Sequence, residues 1–264
     1  MLTPDSALFT AIQAGDSQGV RDALRRGAKP DVVDHEGFTP LIRAIAQGKA
    51  ETVKVLLNGG ADIQLACTYP KAPWSPLTFA AWRGNNELVA ALLLRGANPR
   101  MRDPLGRTAL IVATELGREM VVDGLLNHDS SLVDMVTVEE RTALMYAATL
   151  GRLSILRRLV DAGAGLDRQD RIGRCALMDA VIHRHPEAVD SLLQLGANPD
   201  LQDRDGLTAL MHACAGALEK SVQRLLDGNA NPLLEDGRGR RARHHLEARR
   251  PEWASQVAER LNGP

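Results

Sequence analysis

Asp203-Arg204-Asp205-Gly206-Leu207-Thr208-Ala209-Leu210-Met211-His212-Ala213 is the stretch that decides the fold of this 264-residue chain. An acidic, glycine-bearing turn runs into Thr-Ala-Leu. An apolar stripe through Val222, Leu225 and Leu226 follows, and Gly228-Asn229-Ala230-Asn231-Pro232 closes it. The same grammar recurs upstream. The leucine behind each Thr-Pro, Ser-Pro, Thr-Ala or Cys-Ala pair stands at Leu41, Leu77, Leu110, Leu144, Leu177 and Leu210, with gaps of 36, 33, 34, 33 and 33 residues. The chain is therefore a tandem array. Each copy is too small to bury its own apolar face and needs its neighbours to cover it.

Within a copy each residue type has a local task. Asp34-His35-Glu36-Gly37 makes a turn, because Asp accepts local backbone hydrogen bonds and Gly tolerates a positive φ. Thr39 is placed to cap a helix, and Pro40 suits its first position, where no donor is needed. Leu41, Ala44 and Ile45 face inward, and Val53, Leu56 and Leu57 carry a second helix. A period of about 33 residues, with one turn and two short helices, resembles the ankyrin-repeat family. The residues that carry the resemblance are Thr39-Pro40-Leu41, Ser75-Pro76-Leu77, Thr108-Ala109-Leu110, Thr142-Ala143-Leu144, Cys175-Ala176-Leu177 and Thr208-Ala209-Leu210, with closing pairs at Gly60-Ala61, Gly96-Ala97, Gly163-Ala164 and Gly196-Ala197. The resemblance covers essentially the whole chain. It implies an all-α solenoid of stacked antiparallel helix pairs with projecting turn loops. The reading is one domain over residues 1–264: a cap at 1–33, repeats at 34–64, 65–102, 103–136, 137–169, 170–202 and 203–235, and a second cap at 236–264.

Composition narrows the function classes. A hydrophobic fraction of 44% suffices for a core, while aromatics make up only 3%, so Ala and Leu must fill the interior. A net charge of −1 argues against membrane or generic nucleic-acid binding by the whole molecule. Cys67, Cys175 and Cys214 form an odd set without paired spacing, which points to a reducing compartment and no disulfide framework. The N-terminal residues carry no signal-peptide pattern and no apolar run approaches membrane-spanning length, so a cytoplasmic location is expected, with a secreted effector as the alternative.

Departures from the repeat mark the places where recognition is expected. In the first cap Ser6 is placed to cap a helix carrying Leu8, Phe9 and Ile12. The second unit carries an insertion from Ala66 to Pro76, in which Pro70 and Pro73 stiffen a finger bearing Tyr69 and Trp74. Trp82 follows in the next helix. The two tryptophans either pack on each other to shield the stack or form a contact surface, since Trp and Tyr dominate binding hot spots. Asn127-His128-Asp129-Ser130-Ser131-Leu132 replaces a Leu-Gly-Ala run, and Thr137-Val138-Glu139-Glu140 lacks both Asp and Gly. That turn is expected to differ in geometry, changing the curvature or forming a second recognition element, with drift under preserved stacking as the alternative. In the family a His after the Leu supports hydrogen bonding between turns. His212 is assigned that role, with Ile42, Thr78, Ile111, Met145 and Met178 in its place elsewhere. The last segment ends in a helix with Trp253, Val257, Ala258 and Leu261, and a basic end gathers Arg238, Arg240, Arg241, Arg243, Arg249 and Arg250.

No catalytic chemistry is legible. Gly237-Arg238-Gly239-Arg240 lacks the Lys-Ser/Thr of a phosphate loop, and His183, His185, His244 and His245 lack Cys or carboxylate partners at metal-ligand spacing. No catalytic residue, metal or cofactor is assigned. The resemblance implies binding of another protein through a concave face and turn loops, and the expectation is a monomeric, non-enzymatic scaffold, an inhibitor, immunity protein or effector among the roles open to it. The family's variable positions fall on His35, Glu36, Phe38, Trp74, Trp82, Arg83, Leu105, Arg107, Glu115, Leu116, Arg141, Ile172, Arg174, His183 and Leu207, with Tyr69 added by the insertion. The alternative is an anion or RNA binder acting through Arg238, Arg240, Arg241 and Arg243.

Overall fold

The structure, a computed structural model, describes residues 3–67, 73–249 and 251–263. Tyr69 and Pro70 of the insertion and Arg250 of the basic end lie outside the described residues. The described residues hold sixteen α-helices, one 3₁₀ turn and an isolated antiparallel bridge between Val136 and Thr142. The chain falls into two compact units, Met1–Leu132 and Val133–Pro264. The division falls in the stretch where the Leu-Gly-Ala terminator is missing.

In the first unit four helix pairs follow one another: α1 (Pro4–Ala14) with α2 (Ser17–Arg25), α3 (Pro40–Ala46) with α4 (Ala50–Asn58), α5 (Pro76–Arg83) with α6 (Asn86–Leu94), and α7 (Ala109–Glu115) with α8 (Glu119–His128). First helices pack on first helices, α1 on α3 on α5 on α7. The second unit repeats the plan with α9 (Ala143–Thr149), α10 (Leu153–Asp161), α11 (Ala176–Ile182), α12 (Pro186–Gln194), α13 (Ala209–Ala215), α14 (Glu219–Asp227), α15 (Ala242–Glu247) and α16 (Ala254–Leu261). There α9, α11, α13 and α15 form one layer and α10, α12 and α14 the other. The six periodic leucines are all buried, as are the alanines Ala44, Ala80, Ala113, Ala147, Ala180 and Ala213 three residues on. Small side chains at that position let seven- and eight-residue helices approach closely.

Caps define where each first helix begins. The hydroxyls of Thr39, Ser75, Thr108, Thr142 and Thr208 accept from the backbone N–H three residues on, at 3.2–3.4 Å. Cys175 holds the same place without a capping bond. The first cap starts earlier than expected: Thr3, not Ser6, caps α1, because Pro4 occupies the first helical position and the Thr3 hydroxyl accepts from Ser6 N–H. At the other end α16 begins at Ala254, which leaves Trp253 as its N-cap and Ala258 exposed, while Val257 and Leu261 are buried.

Six turns share one hydrogen-bond frame, and the Cys67 turn departs from it, with Cys67 N–H bonded to Trp74 O. Asp34, Asp103, Asp170, Asp203 and Asp236 donate their N–H to the carbonyl four residues on, and accept on their own carbonyl the N–H of the glycine three residues on. The Thr137 turn keeps this frame, with Thr137 N–H to Arg141 O at 3.0 Å and Glu140 N–H to Thr137 O at 2.9 Å. The expectation of a different turn geometry there is therefore corrected: Glu140 adopts φ +64° in place of glycine. In the second unit neighbouring tips also join through main-chain atoms. Arg171 N–H bonds Glu139 O, Arg204 N–H bonds Ile172 O, and Gly237 N–H bonds Asp205 O. Gly173 and Gly206 sit at these junctions, where an added Cβ would lie 2.8 Å from Arg204 N and 2.7 Å from Gly237 N.

Two stability effects follow. Cys175→Thr supplies the absent cap and should raise unfolding free energy by about 1 kcal/mol in urea titration. Glu140→Gly should add roughly 0.5–1 kcal/mol, since the relief of left-handed strain exceeds the entropy cost of glycine. Loss of stability in either variant would contradict the corresponding assignment.

Candidate functional site

The face carrying the turns is built on those five aspartates. Each uses Oδ1 to accept two further N–H groups of its own turn; Asp236, for example, takes Arg238 N–H at 2.8 Å and Arg240 N–H at 2.9 Å. Oδ2 stays available, and each unit fills it differently. Arg43 donates to Asp34 at 2.5 Å, and Arg107 and Trp74 Nε1 donate to Asp103 at 2.8 and 3.2 Å. His212 donates to Asp203 at 2.7 Å, and His245 and Arg240 donate to Asp236 at 3.0 and 2.9 Å.

This geometry corrects the histidine assignment. His212 lies two residues after Leu210, so its counterparts are Arg43, Phe79, Val112, Tyr146, Asp179 and His245. Ile42, Thr78, Ile111, Met145 and Met178 occupy the preceding position and are buried in the core. His212 bonds the aspartate of its own turn, nine residues back, and does not link two turns. Three further histidines meet backbone atoms: His183 Nδ1 meets Asp179 O, His185 Nε2 meets Thr149 O, and His244 Nδ1 accepts from Arg241 N–H.

In the first unit the structure gathers Phe38, Trp74, Phe79 and Trp82. Ring centroids are 5.7 Å apart for Trp74–Trp82, 5.3 Å for Phe79–Trp82, 6.3 Å for Trp74–Phe79 and 6.0 Å for Phe38–Phe79. The tryptophans thus pack together, yet Trp82 remains 37% exposed. Guanidinium groups lie over the rings, with Arg43 4.5 Å from Phe38, Arg107 5.8 Å from Trp74 and Arg83 5.9 Å from Trp82. Phe79 was not among the expected site residues; its signal was the position two after Leu77. Arg107 also reaches Glu115 at 3.1 Å, and Leu105 and Leu116 are exposed beside this network. Burial pushes the Glu115 carboxyl up despite Arg107. His35 and Glu36 are exposed, and Glu36 pairs with Arg43 at 2.7 Å.

In the second unit Arg141 is largely internal. It donates to Asp170 at 3.4 Å, Asp179 at 2.7 Å and the Thr149 hydroxyl at 2.8 Å, and lies 5.1 Å from the Tyr146 ring centre. Burial raises the Asp179 carboxyl above its usual range even beside this guanidinium. Ile172 and His183 are exposed, while Arg174 and Leu207 are half-buried. Of the basic end, Arg240 engages Asp236, Arg241 pairs with Glu235 at 2.9 Å, Arg243 donates to Asn262 at 3.2 Å and Arg249 donates to Ala215 O. Arg238 is exposed. Cys67, Cys175 and Cys214 are buried, and burial pushes the Cys214 thiol up to about 12. Among the described residues no helix is long and apolar enough to cross a membrane.

Stacked helix pairs, aspartate turns and exposed tips define a repeat module, and comparison supplies the family. The profile described as Ankyrin repeats (3 copies) matches residues 3–67, 77–170 and 177–246, so the chain belongs to the ankyrin-repeat family, whose members are general protein-interaction modules. The ankyrin repeat domain of Bcl-3, a member of the IkappaB protein family, superposes with a TM-score of 0.77 at 25% identity, covering 85% of this chain and 100% of that one. The Legionella pneumophila phosphocholine transferase AnkX is 30% identical over 141 residues, 52% of this chain and 15% of that protein. The Danio rerio ankyrin repeat and SAM domain-containing protein 6 is 29% identical over 222 residues, 62% of this chain and 30% of that protein. The match thus spans less than a third of either relative's length.

The last turn predicts a pH response. Burial and the neighbouring Arg240 hold His245 below its ordinary value of 6.5, so the fold favours the neutral imidazole. Burial pushes the Asp236 carboxyl up, but the Arg240 and Arg238 N–H groups and the Arg240 guanidinium outweigh it and hold Asp236 well below 3.8. Both groups therefore bind protons more readily when unfolded. The His245 contribution is fully present above 6.5 and lost as pH falls through its lower folded value. The Asp236 contribution follows, starting below 3.8. The Tm of the full chain should fall on acidification from neutral pH, and His245→Gln should flatten the first part of that fall.

Proposed function

We propose that this protein is a non-enzymatic binding module that grips another protein through its turn tips and first-helix faces, with the aromatic cluster of Phe38, Trp74, Phe79 and Trp82 as a principal contact. One observation carries the reading. In a chain whose aromatic content is 3%, four rings converge on one patch, framed by three arginines, and the patch keeps Trp82 37% exposed. Trp and Arg are the residue types that concentrate binding energy in interfaces. Arg83, Leu116 and Leu105 extend the patch, and Ile172, Arg174, His183 and Leu207 offer a second set of contacts in the other unit. The family supports binding over catalysis. The activity in the name of AnkX belongs to a protein of which the match covers 15%. The internal bonds of Arg240, Arg241 and Arg243 weigh against an anion- or RNA-binding role for the basic end.

The test is affinity capture followed by titration of the identified partner. Trp74→Ala/Trp82→Ala should weaken binding by roughly thirtyfold or more, the loss expected of a paired hot spot. A folded double variant with unchanged affinity would remove the cluster from the interface.

A further inference from the structure

Four turns place an arginine four residues beyond the turn residue: Arg107, Arg141, Arg174 and Arg240. Two of them close on their own turn. Arg107 directs Nε and Nη2 to Asp103 Oδ2, both at 2.8 Å, and Arg240 does the same to Asp236 at 2.9 and 2.8 Å. Arg141 has no carboxylate in its own turn, because Thr137 stands there. It reaches forward into the following turn instead and donates to Asp170 Oδ2 and Asp179 Oδ2.

Asp179 explains the forward reach. It occupies the position that His212 and His245 fill in the next two repeats, nine residues after the turn aspartate. Those histidines donate to their aspartates; a second carboxylate cannot. Two buried acids therefore need one cation, and Arg141 supplies it, with only 15% of its side chain exposed. The consequence falls on Arg174. Asp170 Oδ2 receives Arg141 and not Arg174, whose Nε is buried without an acceptor. Among the described residues no bond engages its guanidinium. Ile172, 48% exposed, shares its turn, and Leu207 lies in the adjoining tip, joined to it by the Arg204 N–H···Ile172 O bond.

We propose that Arg174 is a recognition residue that captures an aspartate or glutamate side chain of the protein partner, with apolar residues of the partner covering Ile172 and Leu207. The inference rests on the protein-binding reading above. A carboxylate is the expected occupant because the guanidinium groups of Arg107 and Arg240, at the same turn position, each hold one. The partner supplies in trans the acid that Arg141 has taken from Arg174 in cis.

The probe is a random peptide display library selected on the immobilised full chain. Enriched peptides should carry an acidic residue in an apolar setting. Arg174→Gln should weaken their binding about tenfold or more without changing Tm. Replacing the peptide's acid by its amide should cause a similar loss in the wild type and little further loss in Arg174→Gln. Arg141→Gln/Asp179→Asn, which frees Asp170 for Arg174, should also weaken binding although Arg174 itself is intact. Acidic peptides that tolerate Arg174→Gln, or penalties that simply add across the cycle, would overturn the proposal. Peptides that respond only to Trp74→Ala/Trp82→Ala would overturn it while leaving the protein-binding reading standing. A library that yields no enriched peptide would count against both.

Discussion

The turn aspartate is the constraint on which the recognition face depends. A four-residue reversal leaves several N–H groups pointing inward with no helix or sheet to receive them. One carboxylate oxygen gathers two of them, and the backbone frame of the turn takes the rest. That leaves a second oxygen in a nearly dry setting, where it demands a donor. Which donor arrives determines which side chains remain available at the tip. A histidine nine residues on, an arginine four residues on, a tryptophan from the preceding repeat and an arginine from the preceding repeat are all used in this chain.

The two units consequently differ in chemical character. The first adds a cluster of rings to the ion pairs of Arg43 and Arg107. Phe79 takes the place of the donors Arg43, His212 and His245, and its own turn carries Cys67 in place of an aspartate, with Cys67 N–H bonded to Trp74 O. The rings of Trp74, Phe79 and Trp82 fill that position with packing where Arg43, His212 and His245 bond a turn aspartate. The second unit is ionic. Thr137 in one turn and Asp179 in the next repeat shift an arginine by one repeat and leave another without its acid.

Much of the fold was legible in the sequence because spacing alone reports it. The buried leucines, the hydroxyl caps and the turn aspartates recur at fixed intervals, and each has a local cause that needs no tertiary partner. The site was less legible. The histidine column stands two residues after each leucine, not one, and only in that register do Phe79 and Asp179 fall in line with His212. The turn at Thr137 looked broken because glycine is missing, yet four hydrogen-bonded atoms hold Glu140 in the left-handed region regardless. The attachment of Arg141 to Asp179 joins residues 38 apart and depends on what neither turn contains, so no local pattern announces it.

The main-chain links between neighbouring tips have a wider consequence. Where Arg171, Arg204 and Gly237 donate to the preceding tip, part of the cohesion is between peptide groups and owes nothing to side-chain identity. The alphabet written along such an edge is thus uncoupled from the scaffold that displays it. Evolution or an engineer is able to rewrite Ile172, Arg204 or Arg238 for a new target while the spine beneath stays as it is.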